Sequence, residues 1–306
     1  MLAAVEMSKN LLPELYESNE ITGTISAECA AETGLKIGTP IVAGAGDNAA
    51  GAIGMGIVKV GAVSATIGTS GVVFAVTDQP SIDFKGRIHT FCHAAPNRWH
   101  VTGVTQAAGL SFRWFRDNFA AGESYDDLVE SAKKIRAGAD GLLWTPYLMG
   151  ERTPHIDPNV RASLIGLTAI HTKAHVVRAI LEGVAFSLRD SLEIFRELSI
   201  PTENIRLGGG GAKSALWRQI QADIYGQKVE TIRAEEGAAY GAALLAGVGA
   251  ENWQTIDEAC AKTIRVAEKI EPDAETVGIL NRQYKAYQGI YPSLGSVMEI
   301  LNSKNQ

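Results

Sequence analysis

The sequence predicts an α/β fold, long enough for one large domain or two, on the basis of three observations. Apolar, β-branched runs bounded by glycine alternate with segments whose apolar residues recur at helical spacing. Hydrophobic residues make up 46% of the 306 residues and charged residues 20%, which excludes disorder as the main state. No repeat, low-complexity tract or polar linker interrupts the alternation. We therefore expect a sheet with helices packed against it.

The N-terminal part of the chain predicts short elements rich in small residues. In chain order, these are an amphipathic helix with Leu2, Val5, Leu11 and Leu12, a turn at Thr22-Gly23-Thr24, an apolar strand over 41–43, a closely packed helix from Asn48 to Met55, and a β-hairpin over 63–76. A domain boundary is expected near Gly54–Val60, where the small-residue run ends and the series of strands begins.

The remaining chain continues the alternation. Its expected elements are strands over 99–104, 142–148, 205–207 and 228–232, and helices starting at Ala107, over 173–198, over 215–224, after the acids Glu235 and Glu236, and over 272–302 as one helix or two. Gly183 inside the long helix costs about 1 kcal/mol relative to alanine. It indicates either close backbone packing or simple tolerance.

Charge and composition exclude several classes of function. A net charge of −6 without a basic run argues against nucleic acid as a partner. No apolar stretch reaches the roughly 20 residues of a membrane span, and Met1 begins no signal peptide, so we expect a cytoplasmic protein. Three distant cysteines predict reduced thiols. His171 and His175 lack a third ligand, so no metal site on the protein is expected.

The segment Gly-Ala-Gly-Asp-Asn-Ala-Ala at 44–50 contains the first candidate for chemistry. Asp47 lies at a predicted strand-to-helix junction among residues too small to crowd a substrate. It is therefore a candidate general base, within hydrogen-bond reach of a substrate hydroxyl. The alternative is an aspartate that caps a helix in a glycine-rich loop.

Two further glycine-rich segments are candidate phosphate sites. Gly68-Thr69-Ser70-Gly71 joins the two strands of the predicted hairpin, and its glycines permit the close approach of an anion to backbone N–H groups. The run Gly208 to Gly211 precedes a predicted helix and leaves a flat backbone surface for a ligand. It matches neither the dinucleotide fingerprint nor the Walker loop. The hairpin segment by itself is more typical of an ordinary hairpin tip than of a phosphate site.

Taken together, these segments resemble the FGGY-type carbohydrate kinases of the actin-like ATPase superfamily. The resemblance rests on GAGDNAA at 44–50, ATIGTSG at 65–71, the segments 147–167 and 207–224, and the spacing of Gly166, His175, Ala179 and Glu182. It implies an actin-like, ribonuclease H-like fold with a mixed sheet and flanking helices. Most of the family's N-terminal domain has no counterpart in this sequence. Residues 1–58 match the end of that substrate-side domain, and residues 59–306 match the ATP-side domain.

The resemblance implies phosphoryl transfer from MgATP to a hydroxyl of a ketopentose, with D-xylulose as the first candidate. Asp47 would act as the base and Asn48 would bind the sugar. The residues that match phosphate-contacting positions of the family are Gly68, Thr69, Ser70 and Gly71, and Mg²⁺ would bind together with the phosphates. The residues that match positions elsewhere on the nucleotide are Gly109, Arg113, Gly209, Gly210, Gly211 and Ser214. Related kinases often carry asparagine at the position of Ser214, which leaves the adenine hydrogen bond open.

Other functions agree with the same motifs. One alternative is a kinase of this type for ribulose, gluconate or glycerol. Another is a non-catalytic nucleotide-binding module, or a half-enzyme whose partner is a separate N-terminal kinase half or a second copy of the chain. Glu151, Arg152 and Thr153 lie in a Pro-bounded loop of the family pattern, and we expect them to be structural.

Overall fold

A computed structural model of the chain describes residues 2–233 and 237–303. The acids Glu235 and Glu236, expected at the start of a helix, lie outside the described residues. Two compact units are present. The described residues of the first are 2–56, 93–97 and 237–263, and those of the second are 57–92, 98–233 and 264–303. The assignment of residues 1–58 and 59–306 to two family domains stays a prediction.

The described residues contain the following elements. The strands are β1 (Ile21–Thr24), β2 (Pro40–Val42), β3 (Gly61–Ile67), β4 (Gly71–Thr77), β5 (His89–Cys92), β6 (Trp99–Thr105), β7 (Leu143–Thr145), β8 (Ser163–Ile165), β9 (Thr202–Gly209), β10 (Val229–Ile232) and β11 (Val266–Ile270). The helices are α1 (Ala27–Thr33), α2 (Asp47–Gly54), α3 (Ala108–Phe119), α4 (Tyr125–Lys133), α5 (Lys173–Glu197), α6 (Ala215–Tyr225), α7 (Gly237–Gly249), α8 (Ile256–Thr263) and α9 (Ala274–Ser303).

In the first unit, α2 and α7 pack with their backbones in close contact. A Cβ atom on Gly241 would lie 1.8 Å from the carbonyl oxygen of Ala50, and one on Gly54 would lie 2.0 Å from that of Gly237. Such distances admit only glycine. The close packing predicted for the small-residue helix at 48–55 is therefore confirmed, and the small residues of α7 serve the same contact.

Two predictions for the N-terminal residues are wrong. The amphipathic helix is replaced by short 3₁₀ turns at Leu2–Val5 and Lys9–Leu11, which bury no residue. Thr22-Gly23-Thr24 belongs to β1 rather than to a turn, because β2 pairs with it in antiparallel fashion. The partner strand, distant in sequence, decides the conformation of this segment.

The second unit is built on a mixed seven-stranded sheet of order β11-β10-β9-β3-β4-β6-β5. β9 runs parallel to both β3 and β10, whereas β3 with β4, β4 with β6, β5 with β6 and β10 with β11 are antiparallel. The predicted mixed sheet with flanking helices and the hairpin over 63–76 are confirmed. Because β9 lies beside β3, the glycine run at its end is brought next to the turn between β3 and β4.

The long helix α5 lies in the core of the second unit, and most of its side chains are buried. A Cβ atom on Gly183 would lie 2.1 Å from the carbonyl oxygen of Trp144, so close backbone packing explains this glycine. The strand predicted over 142–148 is limited to β7, and the residue after it is Pro146, which has no N–H group for a strand ladder. Residues 274–303 form one helix, with Pro292 inside it.

Candidate functional site

A cavity of about 650 Å³ opens in the second unit beside the turn that joins β3 to β4. Its walls come from this turn, the N-terminal parts of α3 and α4, the segment between β9 and α6, and the start of α6. The lining residues are Ile67, Gly68, Thr69, Gly109, Phe112, Arg113, Arg116, Ser124, Tyr125, Asp126, Val129, Gly210, Gly211, Lys213, Ser214 and Trp217. Three segments that the sequence singled out separately therefore meet at one cavity.

The turn between β3 and β4 is held by the N-terminus of α3. The N–H of Gly109 donates to the carbonyl oxygen of Gly68 at 2.9 Å, and the N–H of Leu110 donates to that of Thr69 at 3.1 Å. Within the turn, the N–H of Gly68 donates to the carbonyl oxygen of Ser70 at 2.9 Å. Gly68 and Thr69 are exposed and line the cavity, so a ligand there can reach their backbone.

Two of the predicted phosphate residues do not line the cavity. Ser70 is half-buried, and Gly71 is buried where a Cβ atom would lie 2.6 Å from Cγ2 of Thr105 and 2.8 Å from Cδ1 of Leu188. Packing alone therefore requires glycine at position 71. Of the four residues predicted around the phosphates, the structure brings Gly68 and Thr69 to the cavity.

The glycines at the end of β9 and directly after it are glycine for different reasons. Gly209 has a φ of +70°, and its Cβ atom would lie 2.5 Å from the carbonyl oxygen of Ile67, while a Cβ atom on Gly211 would meet the Ile67 side chain at 2.7 Å. Both serve the packing on β3, and Gly211 also lines the cavity. Gly210 has room for a Cβ atom, whose nearest neighbour would be 3.7 Å away, and it borders the cavity.

Ser214 lines the cavity and is also the N-cap of α6. Its hydroxyl oxygen accepts a hydrogen bond from the N–H of Trp217 at 3.2 Å. The hydroxyl hydrogen can still be donated, because a serine hydroxyl is both a donor and an acceptor. The predicted contact of Ser214 with the nucleotide stays a prediction.

Besides Arg116, which forms an ion pair with Asp117, two cationic side chains border the cavity: Arg113 on α3 and Lys213 before α6. Both are exposed, and neither forms an ion pair with any residue that the structure describes. Arg113 was a predicted site residue, whereas Lys213 was missed. Two unpaired cations beside exposed glycine backbone make this cavity suitable for an anionic ligand.

Aromatic residues form another wall of the cavity, which sequence reasoning missed. The Phe112 ring lies 5.1 Å from that of Tyr125 and meets Trp217 edge-on at 6.1 Å. The Arg116 guanidinium lies 4.1 Å from the centre of the Tyr125 ring. Phe112 and Arg116 follow Gly109 at helical spacing, and this periodicity on α3 was the signal available in the sequence.

Asp47 and Asn48 belong to the first unit, and both are exposed. The N-cap of α2 is Gly46 and Asp47 is its first residue, with Oδ1 accepting the N–H of Asn48 at 2.8 Å. The predicted strand-to-helix junction is confirmed, because β2 ends at Val42. The roles of Asp47 as a base and of Asn48 as a sugar ligand stay predictions.

The loop with Glu151 and Thr153 is anchored in the protein interior. Glu151 accepts hydrogen bonds from the Thr105 hydroxyl and from the N–H groups of Gln106 and Arg152. Burial raises the pKa of Glu151 to about 7, although these hydrogen bonds act in the opposite direction. Thr153 is bonded to the backbone of neighbouring segments. These bonds agree with the structural role expected for the loop.

The two histidines considered for metal binding act at the start of α5. His175 forms a capping box with Thr172, and Nδ1 of His171 accepts the N–H of Thr168 at 2.9 Å. In the part of the chain that the structure describes, no three or more His, Cys, Asp or Glu side chains form a cluster suited to a metal ion. Across residues 2–233 and 237–303, no helix has the length and apolar character needed to cross a membrane.

Comparison with known proteins gives matches along nearly the whole chain. Residues 63–250 match the C-terminal domain of the FGGY family of carbohydrate kinases, and residues 1–54 match the N-terminal domain of that family. A xylulose kinase of Bacillus subtilis strain 168 is 42% identical over 287 residues, which cover 94% of this chain and 58% of that protein. A gluconokinase of the same organism is 38% identical over 246 residues, covering 76% and 48%.

A solved structure supports the fold. The ligand-bound xylulose kinase of Lactobacillus acidophilus superimposes with a TM-score of 0.91 at 26% identity, over 98% of this chain and 61% of that one. This chain therefore spans about three fifths of the length of these two xylulose kinases. The family match covers more than half of the chain, and the chain belongs to the FGGY family of carbohydrate kinases.

Proposed function

We propose that this chain provides the nucleotide-binding part of a sugar kinase, which transfers a phosphoryl group from MgATP to a hydroxyl of a ketopentose. The observation that carries the proposal is the cavity itself, where exposed glycine backbone, the cations Arg113 and Lys213, which have no ion-pair partner among the described residues, and an aromatic wall meet. The similarity to xylulose kinases supports D-xylulose as the substrate. Gluconate is the second candidate, because a gluconokinase is 38% identical.

In this proposal the phosphates of ATP bind at Gly68 and Thr69, and the adenosine lies towards Gly210, Ser214 and the aromatic wall. The N–H of Thr69, which is not used by the hydrogen bond within the turn, donates to a phosphate oxygen, and the cations offset the negative charge in a chain whose net charge is −6. Mg²⁺ enters with the nucleotide and neutralises charge on the phosphates. The protein groups bind and orient the nucleotide.

The sugar is assigned to the first unit, with Asp47 as the general base and Asn48 as a hydrogen-bonding partner. Asp47 is exposed, and the backbone N–H of Asn48 donates to only one of its two carboxylate oxygens. The other oxygen is therefore available to a substrate hydroxyl. Proton removal by a positioned carboxylate is worth roughly 10²–10⁴-fold in rate.

Several exposed apolar side chains of the first unit support the proposal that another protein binds to it. Leu11 is 75% exposed, Leu15 83% and Ile37 61%. Apolar surface of this kind favours association. We propose that the partner is an N-terminal kinase half, supplied in cis or in trans, and that the protein acts in the cytoplasm. Light scattering tests for the alternative, a dimer of this chain.

Calorimetry with MgADP tests the nucleotide site. Wild type should bind, and Gly210→Asp should weaken binding about tenfold or more, because it brings a negative charge into the cavity without a backbone clash. Gly210→Ala is the matched control and should retain affinity, since a Cβ atom fits there. No heat from the wild type at millimolar MgADP would contradict the proposed function.

Activity is tested with an N-terminal domain supplied in cis or in trans and a panel of D-xylulose, ribulose, gluconate and glycerol. Asp47→Asn should lower kcat by about 10²–10⁴-fold while MgADP binding is retained, because asparagine cannot accept the proton. Glu28→Gln, an exposed acid of α1, is the control and should leave kcat unchanged. Full turnover by Asp47→Asn would refute the assignment of the base.

A further inference from the structure

The carboxylate of Glu151 forms hydrogen bonds with the end of β6, although Glu151 does not line the cavity. Oε1 accepts the N–H of Gln106 at 3.0 Å and that of Arg152 at 2.7 Å, and Oε2 accepts the hydroxyl hydrogen of Thr105. The residue is only 3% exposed. Three donors therefore converge on one buried carboxylate, two of them from the last residue of β6 and the residue after it.

These bonds fix the short connection between β6 and α3. β6 ends at Thr105 and α3 begins at Ala108, and the N-cap residue Ala107 provides no side-chain cap. The start of α3 therefore depends on the anchor that precedes it. Thr153, from the same loop as Glu151, contributes a second anchor through its bonds with both backbone groups of Val104.

The start of α3 in turn holds the turn between β3 and β4. The N–H groups of Gly109 and Leu110 donate to the carbonyl oxygens of Gly68 and Thr69. A Cβ atom on Gly109 would lie 2.4 Å from the Gly68 oxygen, so the two backbones are in direct contact. A displacement at the end of β6 is therefore transmitted to Gly68 and Thr69 through backbone hydrogen bonds.

We propose that Glu151 is a positioning residue for the phosphate-binding turn: it holds the connection between β6 and α3, and α3 holds the backbone of Gly68 and Thr69 at the cavity. The inference rests on the proposed function for the identity of the ligand. A carboxylate suits this place because it accepts two backbone N–H groups and a hydroxyl at once, whereas buried N–H groups without acceptors are costly.

The first experiment is hydrogen exchange at single-amide resolution on the protein without ligand. Glu151→Ala should speed exchange at Gly109 and Leu110 by about tenfold or more, because their anchor is lost. Asp190→Ala is the matched control: it removes another buried carboxylate, whose Oδ1 accepts the hydroxyl of Tyr284 at 2.6 Å. The control should leave the two α3 amides within about twofold of wild type. Equal effects of the two variants would overturn the proposal.

The second measurement is the Kd of MgADP for the same variants. Glu151→Ala should raise it about tenfold, because a loosened turn no longer holds its backbone in the binding geometry. Asp190→Ala should leave it unchanged. Faster exchange at Gly109 and Leu110 with an unchanged Kd would refute the positioning role. Failure of the wild type to bind MgADP would instead refute the proposed function, and the exchange experiment would still decide whether Glu151 holds the turn.

Two further variants separate positioning from a general loss of stability. Glu151→Gln keeps an oxygen that accepts both N–H groups, and the Thr105 hydroxyl can accept from the new amide, so it should restore exchange and Kd to within about twofold. If Glu151→Ala does not fold, Thr105→Val provides the test, because it removes one donor and keeps the side-chain shape. It should speed exchange at Gly109 and Leu110 and raise the Kd, and wild-type values for both would overturn the proposal.

Discussion

A Cβ atom added to Gly109 would lie 2.4 Å from the carbonyl oxygen of Gly68, and the Gly109 N–H donates to that same oxygen at 2.9 Å. The helix α3 therefore begins directly on the turn between β3 and β4. One glycine provides both the hydrogen bond and the space for it. Resemblance to the family pointed to the same residue near the nucleotide, and the structure gives this position a physical reason to be glycine.

Gly109→Ala should separate α3 from the turn and weaken MgADP binding about tenfold or more, since the added methyl group meets backbone that cannot rotate away. Calorimetry measures the Kd. Gly278→Ala, in α9, is the control because no atom lies within 4 Å of its Cβ position. It should retain the wild-type Kd and gain stability slightly, as expected for alanine in a helix. Wild-type binding by Gly109→Ala would refute the importance of this contact.

Lys213→Ala should weaken MgADP binding several-fold, and the loss should shrink as salt is added. The side chain lines the cavity without an ion-pair partner among the described residues, so its charge is available to a phosphate. Lys285→Ala makes the same change in net charge at an exposed position of α9 that does not line the cavity. Equal effects of the two variants would mean that Lys213 acts only through net charge.

Gly241→Ala should destabilise the first unit by about 1–3 kcal/mol or more, because the methyl group would lie 1.8 Å from the Ala50 carbonyl oxygen and α2 must move. Gly51→Ala is the matched control in α2, where the nearest atom to the added Cβ is 3.9 Å away. Urea denaturation followed by circular dichroism measures both. Comparable stability of the two variants would show that the α2–α7 contact relaxes without cost.

Much of the second unit could be predicted from the sequence, because its signals are local. The β-branched runs around Gly68 and Gly71 predict the hairpin, and the periodic apolar residues around Gly183 predict α5. In the glycine run that begins at Gly208, Gly209 and Gly211 mark close approach to Ile67. These features depend on residues that are neighbours in the chain, so pattern and composition are sufficient to find them.

The remaining features depend on contacts between distant residues. Tyr125 and Lys213 reach the cavity only because the fold brings α4 and the start of α6 beside α3, and neither position carries a local signal. The segment from Thr22 to Thr24 becomes a strand because it pairs with β2, whose residues lie 16 or more positions further along the chain. Likewise, the three hydrogen bonds of Glu151 include two to residues more than 40 positions away. Spacing along the sequence gives no information about such contacts.

His100 should make stability depend on pH between neutral and mildly acidic conditions. It is buried and stacked on Phe74 with ring centres 4.2 Å apart, and this burial lowers its pKa from 6.5 to about 4, despite a hydrogen bond to the Cys92 backbone. Below its ordinary pKa the unfolded chain takes up a proton at His100 and the folded chain does not. The stability that the neutral ring provides is therefore complete above pH 6.5 and is lost as the pH falls towards 4.

His100→Phe keeps an aromatic ring beside Phe74 and removes the titrating group. Between pH 7 and pH 5 the wild type should lose about 2 kcal/mol more unfolding free energy than the variant, because the proton binds only to the unfolded chain in this range. Urea midpoints at the two pH values measure this difference, and the other histidines contribute equally to both proteins. The same pH dependence in both proteins would show that His100 takes up its proton as readily in the folded chain as in the unfolded one.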